Sequence, residues 1–161
     1  VSSAASDVYK RQMHGNGYKG LPVNRELAIK YYRLAALEGF GASQNNLGWT
    51  YYKGEGAEKN VFEAIYWLSR AVEQGDPFSY GSLGTVMFES EQFVKDDAEI
   101  YKWLKMAVDG LPEGTAKEGD TKTFEKLLAR MTPEQVADGE KRIAAWKPLK
   151  PGAKMVDKDD Y

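Results

Sequence analysis

The sequence contains no cysteine and only one histidine, His14, among its 161 residues. Without cysteine the chain has no disulfide, no thiolate nucleophile and no cysteine-ligated metal site. A single histidine excludes multi-histidine metal sites and argues against a histidine-dependent catalytic triad. We therefore expect a protein that is not an enzyme and that has no metal site and no cofactor.

An excess of charge of one sign is also lacking, because 22 basic side chains nearly balance 24 acidic ones and the net charge is -2. Such a chain has no electrostatic footprint for a phosphate backbone, so we expect no nucleic-acid partner. No uninterrupted apolar run approaches the ~18 residues that would cross a bilayer, so we expect no membrane span.

The sequence does contain a repeat of 36 residues. A period of this length is typical of solenoids, in which each unit buries its apolar face against the next. The residues that coincide after a shift of 36 are Leu47 with Leu83, Gly48 with Gly84, Asn60 with Asp96, Trp67 with Trp103, Leu68 with Leu104, and Ala71 with Ala107.

Apolar residues at helical spacing predict two helices in each unit, and in the best-defined unit these cover residues 43–52 and 61–74. Asn60 followed by Glu63, and Asp96 followed by Glu99, have the pattern of a capping box at the start of a second helix. In a capping box the glutamate side chain also reaches back to the backbone of the cap residue. The helix starts are therefore predicted from local chemistry.

Glycines have two predicted roles. Inside the first helices, Gly48 and Gly84 cost about 0.5–1 kcal/mol relative to alanine, so we expect them to allow a close approach of the second helix at its small Ala64 and Ala71 face. Glycines that follow second helices are predicted to end them with a positive φ. These are Gly39, Gly75 and Gly110.

The repeat resembles the Sel1-like repeat, a relative of the tetratricopeptide repeat. The positions that carry the resemblance are Leu47, Gly48, Tyr51, Gly54, Gly56, Asn60, Ala64, Trp67, Ala71 and Gly75. It covers roughly residues 13–112 and implies an all-α fold, a right-handed α-solenoid of helix-turn-helix units in which the two-glycine loop joins the helices. It also favours a bacterial protein of the periplasm or one that is secreted.

We divide the chain accordingly. Residues 1–12 resemble a translated adapter and are expected to be non-native, 13–41 form a partial unit, 42–77 and 78–112 form full units, 113–147 form a helical cap, and 148–161 form a polar tail. In the cap, residues 113–120 are predicted as a loop and 121–130 as a helix. A last helix is predicted from Thr132-Pro133 to about Trp146. Its expected outer face consists of Asp138, Glu140, Lys141 and Arg142.

Two short patterns have ordinary explanations. Gly15 to Gly20 matches a dinucleotide fingerprint, but no apolar strand precedes it, so a loop between helices explains the glycines better. The acidic groups at residues 96–99 and 157–160 lack the ligand spacing of a calcium loop and are interpreted as a helix cap and a solvated tail.

The chain has 20 aromatic residues, of which Tyr51, Phe62, Trp67 and Trp103 are expected to pack inside or between units. The resemblance to tetratricopeptide geometry implies that first helices line a concave groove. The predicted groove residues are Gln44, Asn45, Trp49, Tyr52 and Lys53 of one unit and Gly81, Thr85, Phe88 and Glu89 of the next. Trp49 and Phe88 could instead fill gaps between units.

The leading hypothesis is a non-enzymatic repeat module that binds a protein or peptide in this groove, with Gln44 and Asn45 pairing to the backbone of an extended ligand. Two alternatives remain. One is a hydrolase or β-lactam-binding protein, by analogy with cysteine-rich Sel1-like proteins, although this chain lacks their cysteines. The other is a structural fragment of a longer scaffold.

Overall fold

The computed structural model describes residues 25–149, with side chains from residue 28 onward. All regular secondary structure in this part of the chain is α-helix, and these residues contain no strand. Its seven helices are α1 (Arg25–Leu37), α2 (Gly41–Lys53), α3 (Val61–Val72), α4 (Pro77–Glu89), α5 (Asp97–Gly110), α6 (Thr115–Leu128) and α7 (Pro133–Ala145). The all-α fold of helix-turn-helix units is confirmed, and the described residues form two compact units, 25–71 and 72–149.

The predicted caps are present at the helix starts. The Asn60 side-chain oxygen accepts the backbone N–H of Glu63 at 3.1 Å, and the Asp96 carboxylate accepts the N–H of Glu99 at 3.0 Å. Only this half of the box forms at α5, because the Glu99 carboxylate binds Lys102 at 2.6 Å. The reciprocal bond predicted for Glu99 is therefore wrong.

The start of α7 has the complete capping box. Thr132 accepts the backbone N–H of Gln135 at 3.3 Å, and the Gln135 side chain accepts the N–H of Thr132 at 2.8 Å. Thr132 lies 36 residues after Asp96, which itself lies 36 residues after Asn60. The register of helix starts thus continues into the last helix pair, beyond the point where the other repeat residues are lost.

The predicted helix ends are correct at two glycines and wrong at a third. Gly39 and Gly75 have φ angles of 88° and 79°, in the left-handed region that favours glycine. Gly110 is instead the last residue of α5, and the chain leaves the helix through Leu111 in an extended conformation. The absence of a Cβ at Gly110 serves packing, since a Cβ there would lie 3.0 Å from Pro77 Cγ.

The glycines inside the first helices mark the closest contacts between paired helices. A Cβ on Gly48 would lie 2.5 Å from Leu68 Cγ and 3.1 Å from the Ala64 carbonyl oxygen. A Cβ on Gly84 would lie 2.7 Å from Leu104 Cγ and 3.1 Å from the Leu104 backbone nitrogen. The predicted close approach is confirmed, with a leucine rather than an alanine side chain as the main neighbour.

The expected aromatic core is mostly confirmed. Trp67 packs with Ala36 and Leu47 in the first unit, and Trp103 is equally buried in the second. The expectation for Phe62 is wrong, because its side chain is 68% exposed at the start of α3.

The predicted loop at residues 113–120 is wrong. α6 already begins at Thr115, after Gly114 with a φ of 151°, and ends at Leu128. The polar, glycine-containing sequence gives a weak helix signal, but α6 packs against α4 and α5 and buries Leu127 completely. Tertiary packing therefore extends the helix by about six residues beyond its local preference.

Two of the four residues predicted as the outer face of α7, Glu140 and Arg142, contact α5. Arg142 binds Asp96 at 2.7 Å and Glu99 at 3.1 Å, as well as Asp138 of its own helix. Tyr101 Oη donates to Glu140 Oε1 at 2.6 Å. Asp138, Glu140 and Lys141 are exposed, as expected of a polar outer face, while Glu140 and Arg142 also attach α7 to α5.

We expect Gly84→Ala to destabilise the protein by about 1–3 kcal/mol, because the new methyl group would overlap Leu104 where its backbone nitrogen leaves little room to move. Guanidinium unfolding followed by circular dichroism measures this change. Gly119→Ala in α6 is the matched control: no atom lies within 4 Å of its Cβ position, so helix propensity predicts a gain of about 0.5–1 kcal/mol. Equal effects of the two substitutions would contradict the close-approach interpretation.

We also expect titration of Tyr101 to lower the free energy of unfolding at alkaline pH. Burial, followed by the hydrogen bond and negative charge of Glu140, raises the pKa of Tyr101 from 10.0 to about 12. A raised pKa in the folded state contributes stability that is complete below pH ~10 and is lost as the pH rises through ~12.

Tyr101→Phe tests this dependence. We expect the free energy of unfolding of the variant to be lower by ~1 kcal/mol at pH 7, with the difference from wild type shrinking between pH 10 and 12. Urea unfolding at a series of pH values measures it, and a difference that stays constant to pH 12 would show that the phenol does not titrate as inferred.

Candidate binding surface

The predicted groove residues are divided between the two compact units. Five lie on α2 of the first unit and four on α4 of the second. Each set is described within its own unit.

On α2, Trp49 and Tyr52 lie on one face of the helix, three residues apart. Their rings meet edge to face with centroids 5.7 Å apart, and both side chains are partly buried. The Lys53 ammonium lies 5.3 Å from the Trp49 ring centroid. The Lys59 ammonium lies at the same distance from the Tyr52 ring. We call these four residues the aromatic stripe.

Lys59 reaches the stripe because the loop after α2 folds back on the helix. Gly54 takes a φ of 74° at the helix end, and the backbone N–H of Asn60 donates to the Tyr51 carbonyl at 2.9 Å. A Cβ on Gly54 would lie 3.2 Å from the Lys59 Cβ. Sequence analysis missed Lys59, since no local pattern indicates how the loop returns.

The two amide residues on α2 are placed differently. Gln44 is fully buried, and its side-chain nitrogen donates to the Ala36 carbonyl at the end of α1, at 3.0 Å. It therefore helps to hold α2 against α1. Asn45 lies one turn before Trp49, and its side-chain oxygen is buried without a hydrogen-bond partner in the described structure.

On α4, the first two predicted groove residues contact α6. Gly81 is buried beneath the Asp120 carboxylate, which would overlap a Cβ at this position. Thr85 Oγ1 donates to Asp120 Oδ1 at 3.4 Å. Burial raises the pKa of Asp120, and the hydrogen bond from Thr85 offsets part of this rise.

The other two lie near the end of α4. The Phe88 ring is partly buried, with the Arg130 guanidinium 4.9 Å from its centroid, while Glu89 is exposed. Arg130 is held in place by Glu91 and Asp97, each at 2.7 Å. Three of the four α4 residues thus contact α6 or the loop between α6 and α7. The cations beside the aromatic stripe, Lys53 and Lys59, are exposed.

The described part of the chain offers no group of three or more carboxylates or histidines that could hold a metal ion. Among residues 25–149, none of the helices combines the length and the apolar character of a membrane span. His14 and the glycine pattern at residues 15–20 lie outside the described residues.

Comparison with known proteins gives a family for the repeats. Residues 12–40 and 41–76 match the Sel1 repeat family. The second match contains α2 and α3. Residues 77–110 fold into an equivalent helix pair, in which Gly84 contacts Leu104 in the same way as Gly48 contacts Leu68. No curated protein matches the chain.

Two solved structures share the fold. A protective antigen of uropathogenic Escherichia coli strains with an SLR fold has 17% identity and a TM-score of 0.63, and the match covers 96% of this chain and 43% of that one. A Sel1 repeat protein from Oxalobacter formigenes has 23% identity and a TM-score of 0.61, and the match covers 89% and 63%. The chain thus spans less than two thirds of the length of either protein. Residues 12–76 thus match two Sel1 repeats, and the chain shares its fold with two solved repeat proteins.

Proposed function

We propose that the chain is a non-enzymatic module that binds a protein or peptide partner, and that the aromatic stripe makes the principal contact. The observation that carries this proposal is the Trp49–Tyr52 pair with Lys53 and Lys59 over its rings. The Sel1 repeats support it, because stacked helical repeats provide extended binding surfaces.

The stripe has the physical properties of a binding hot spot. Tryptophan and tyrosine contribute large contact areas, and they dominate the binding energy of many interfaces. The edge-to-face contact between Trp49 and Tyr52 and their partial burial restrict both rings before a partner arrives. Less conformational entropy is then lost on binding, which favours affinity.

The two lysines indicate the chemistry of the partner. Each ammonium group lies near an aromatic ring and has further N–H donors that can bind carboxylates. These groups together favour a peptide in which acidic side chains alternate with apolar ones.

We expect Trp49→Ala with Tyr52→Ala to weaken binding of such a peptide at least ~10-fold, because truncating a hot-spot aromatic costs about 2 kcal/mol or more. Peptides are selected with the wild-type protein from a random display library, synthesised, and measured by isothermal titration calorimetry. Circular dichroism verifies that the double variant is folded.

Phe62→Ala with Phe78→Ala is the matched control, since it also removes two rings, and these are 68% and 52% exposed outside the stripe. We expect this control to bind as tightly as wild type. The proposal is wrong if a folded stripe variant retains full affinity, or if the wild-type protein selects no peptide that binds in solution.

A further inference from the structure

A short segment after α7 folds back over the second unit. We call residues 146–149 (Trp-Lys-Pro-Leu) the C-terminal strap. Trp146 ends α7 with φ of -70° and ψ of 135°, an extended conformation. From there the strap runs to the turn between α3 and α4, where the Leu149 backbone N–H donates to the Glu73 carbonyl at 2.7 Å.

The strap is anchored by its tryptophan. The Trp146 ring meets Trp103 of α5 edge to face with centroids 4.8 Å apart, and its Nε1–H lies 3.4 Å from Tyr80 Oη of α4. Tyr80 in turn stacks on Trp103 at 5.6 Å. The Lys102 ammonium lies 5.1 Å from the Trp146 ring centroid. An aromatic pocket with a cation at its wall thus receives the anchor.

The wall of this pocket is held by an ion pair between Lys102 and Glu99. Lys102 is only 7% exposed, lies 3.9 Å from the Trp103 ring centroid and binds Glu99 at 2.6 Å. Glu99 also accepts from Arg142 of α7. These contacts do not involve the strap, so the wall formed by Lys102 and Trp103 has support of its own.

Beyond the anchor, the strap makes contacts like those of a bound peptide. Pro148 lies against Gly75, where a Cβ would come within 3.2 Å of the Pro148 Cβ. Lys147, Pro148 and Leu149 are exposed, so the strap lies on the surface and is not part of the core. Its proline restricts the backbone before it to extended conformations, which lowers the entropy lost on docking.

We propose that the surface formed by Glu73, Gly75, Tyr80, Lys102 and Trp103 is a docking site for an extended Trp-x-Pro-Leu peptide, and that the strap occupies it in cis. One aromatic anchor, one backbone hydrogen bond and a proline contact are the features of linear-motif recognition. The covalent link gives the strap a high effective concentration, so a partner with this motif binds only when the strap is displaced. This site belongs to the second unit and is independent of the aromatic stripe.

The test removes the Trp146 side chain in the full chain and asks whether an added peptide that carries the same motif restores stability. We expect Trp146→Ala to lower the melting temperature by about 5 °C. The synthetic peptide acetyl-Ala-Trp-Lys-Pro-Leu-amide at millimolar concentration then raises the melting temperature of this variant by about 2 °C or more, because a ligand that binds only the folded state stabilises it. The wild-type protein, whose pocket is filled, shows no such rise.

Two controls isolate the pocket. Lys147→Ala changes an exposed strap residue, and we expect it to melt like wild type and not to respond to the peptide. A peptide with alanine in place of tryptophan is expected to stabilise no variant.

If Trp146→Ala does not fold, the same titration uses Trp146→Leu, which keeps an apolar side chain but removes the ring contact with Trp103 and the hydrogen bond to Tyr80. A melting temperature that is unaffected by the peptide in the folded anchor variant overturns the proposal. A Trp146→Ala variant that melts at the wild-type temperature also overturns it.

Discussion

The fold depends on the close approach of paired helices at a glycine. Gly48 and Gly84 expose their own backbone, so Leu68 and Leu104 can pack directly on the first helix of each pair. The leucines are completely buried in this position, and burial of such a side chain contributes about 1.5–3 kcal/mol. This gain exceeds the ~1 kcal/mol that glycine costs inside a helix, which explains why the same glycine–leucine contact is found in two successive pairs.

The last helix pair is attached by a different kind of interaction. α6 and α7 keep the 36-residue register of helix starts, but polar side chains make many of their contacts. Arg142 joins α7 to Asp96 and Glu99, while Arg130 joins the loop before α7 to Glu91 and Asp97. Hydrogen-bonded, partly buried ion pairs of this kind fix orientation more than they add stability, since desolvation offsets much of their attraction. The ion pair of Arg142 with Glu99 also supports Lys102, which lies in the wall of the pocket that holds Trp146.

The two proposed binding surfaces use aromatic residues in different ways. In the aromatic stripe the rings of Trp49 and Tyr52 are the anchors, and lysines beside them select a partner of opposite charge. In the pocket that holds Trp146 of the strap, Tyr80 and Trp103 contact the inserted ring, and the Lys102 ammonium lies beside it. The first surface lies in residues 25–71 and the second in residues 72–149.

Local chemistry in the sequence determined the starts of α3, α5 and α7 and the ends at Gly39 and Gly75, because a cap or a positive φ depends on residues within one turn. The repeat period was also determined by the sequence. The sequence also indicated that the second helix of each pair comes close to the first helix at Gly48 and Gly84. Tertiary structure alone decided that residues 115–120 are helical, that Gln44 is buried against Ala36, and that Lys59 reaches Tyr52. Those outcomes depend on contacts between residues distant in sequence, whose free energy outweighs the weak local preference and leaves no periodic pattern.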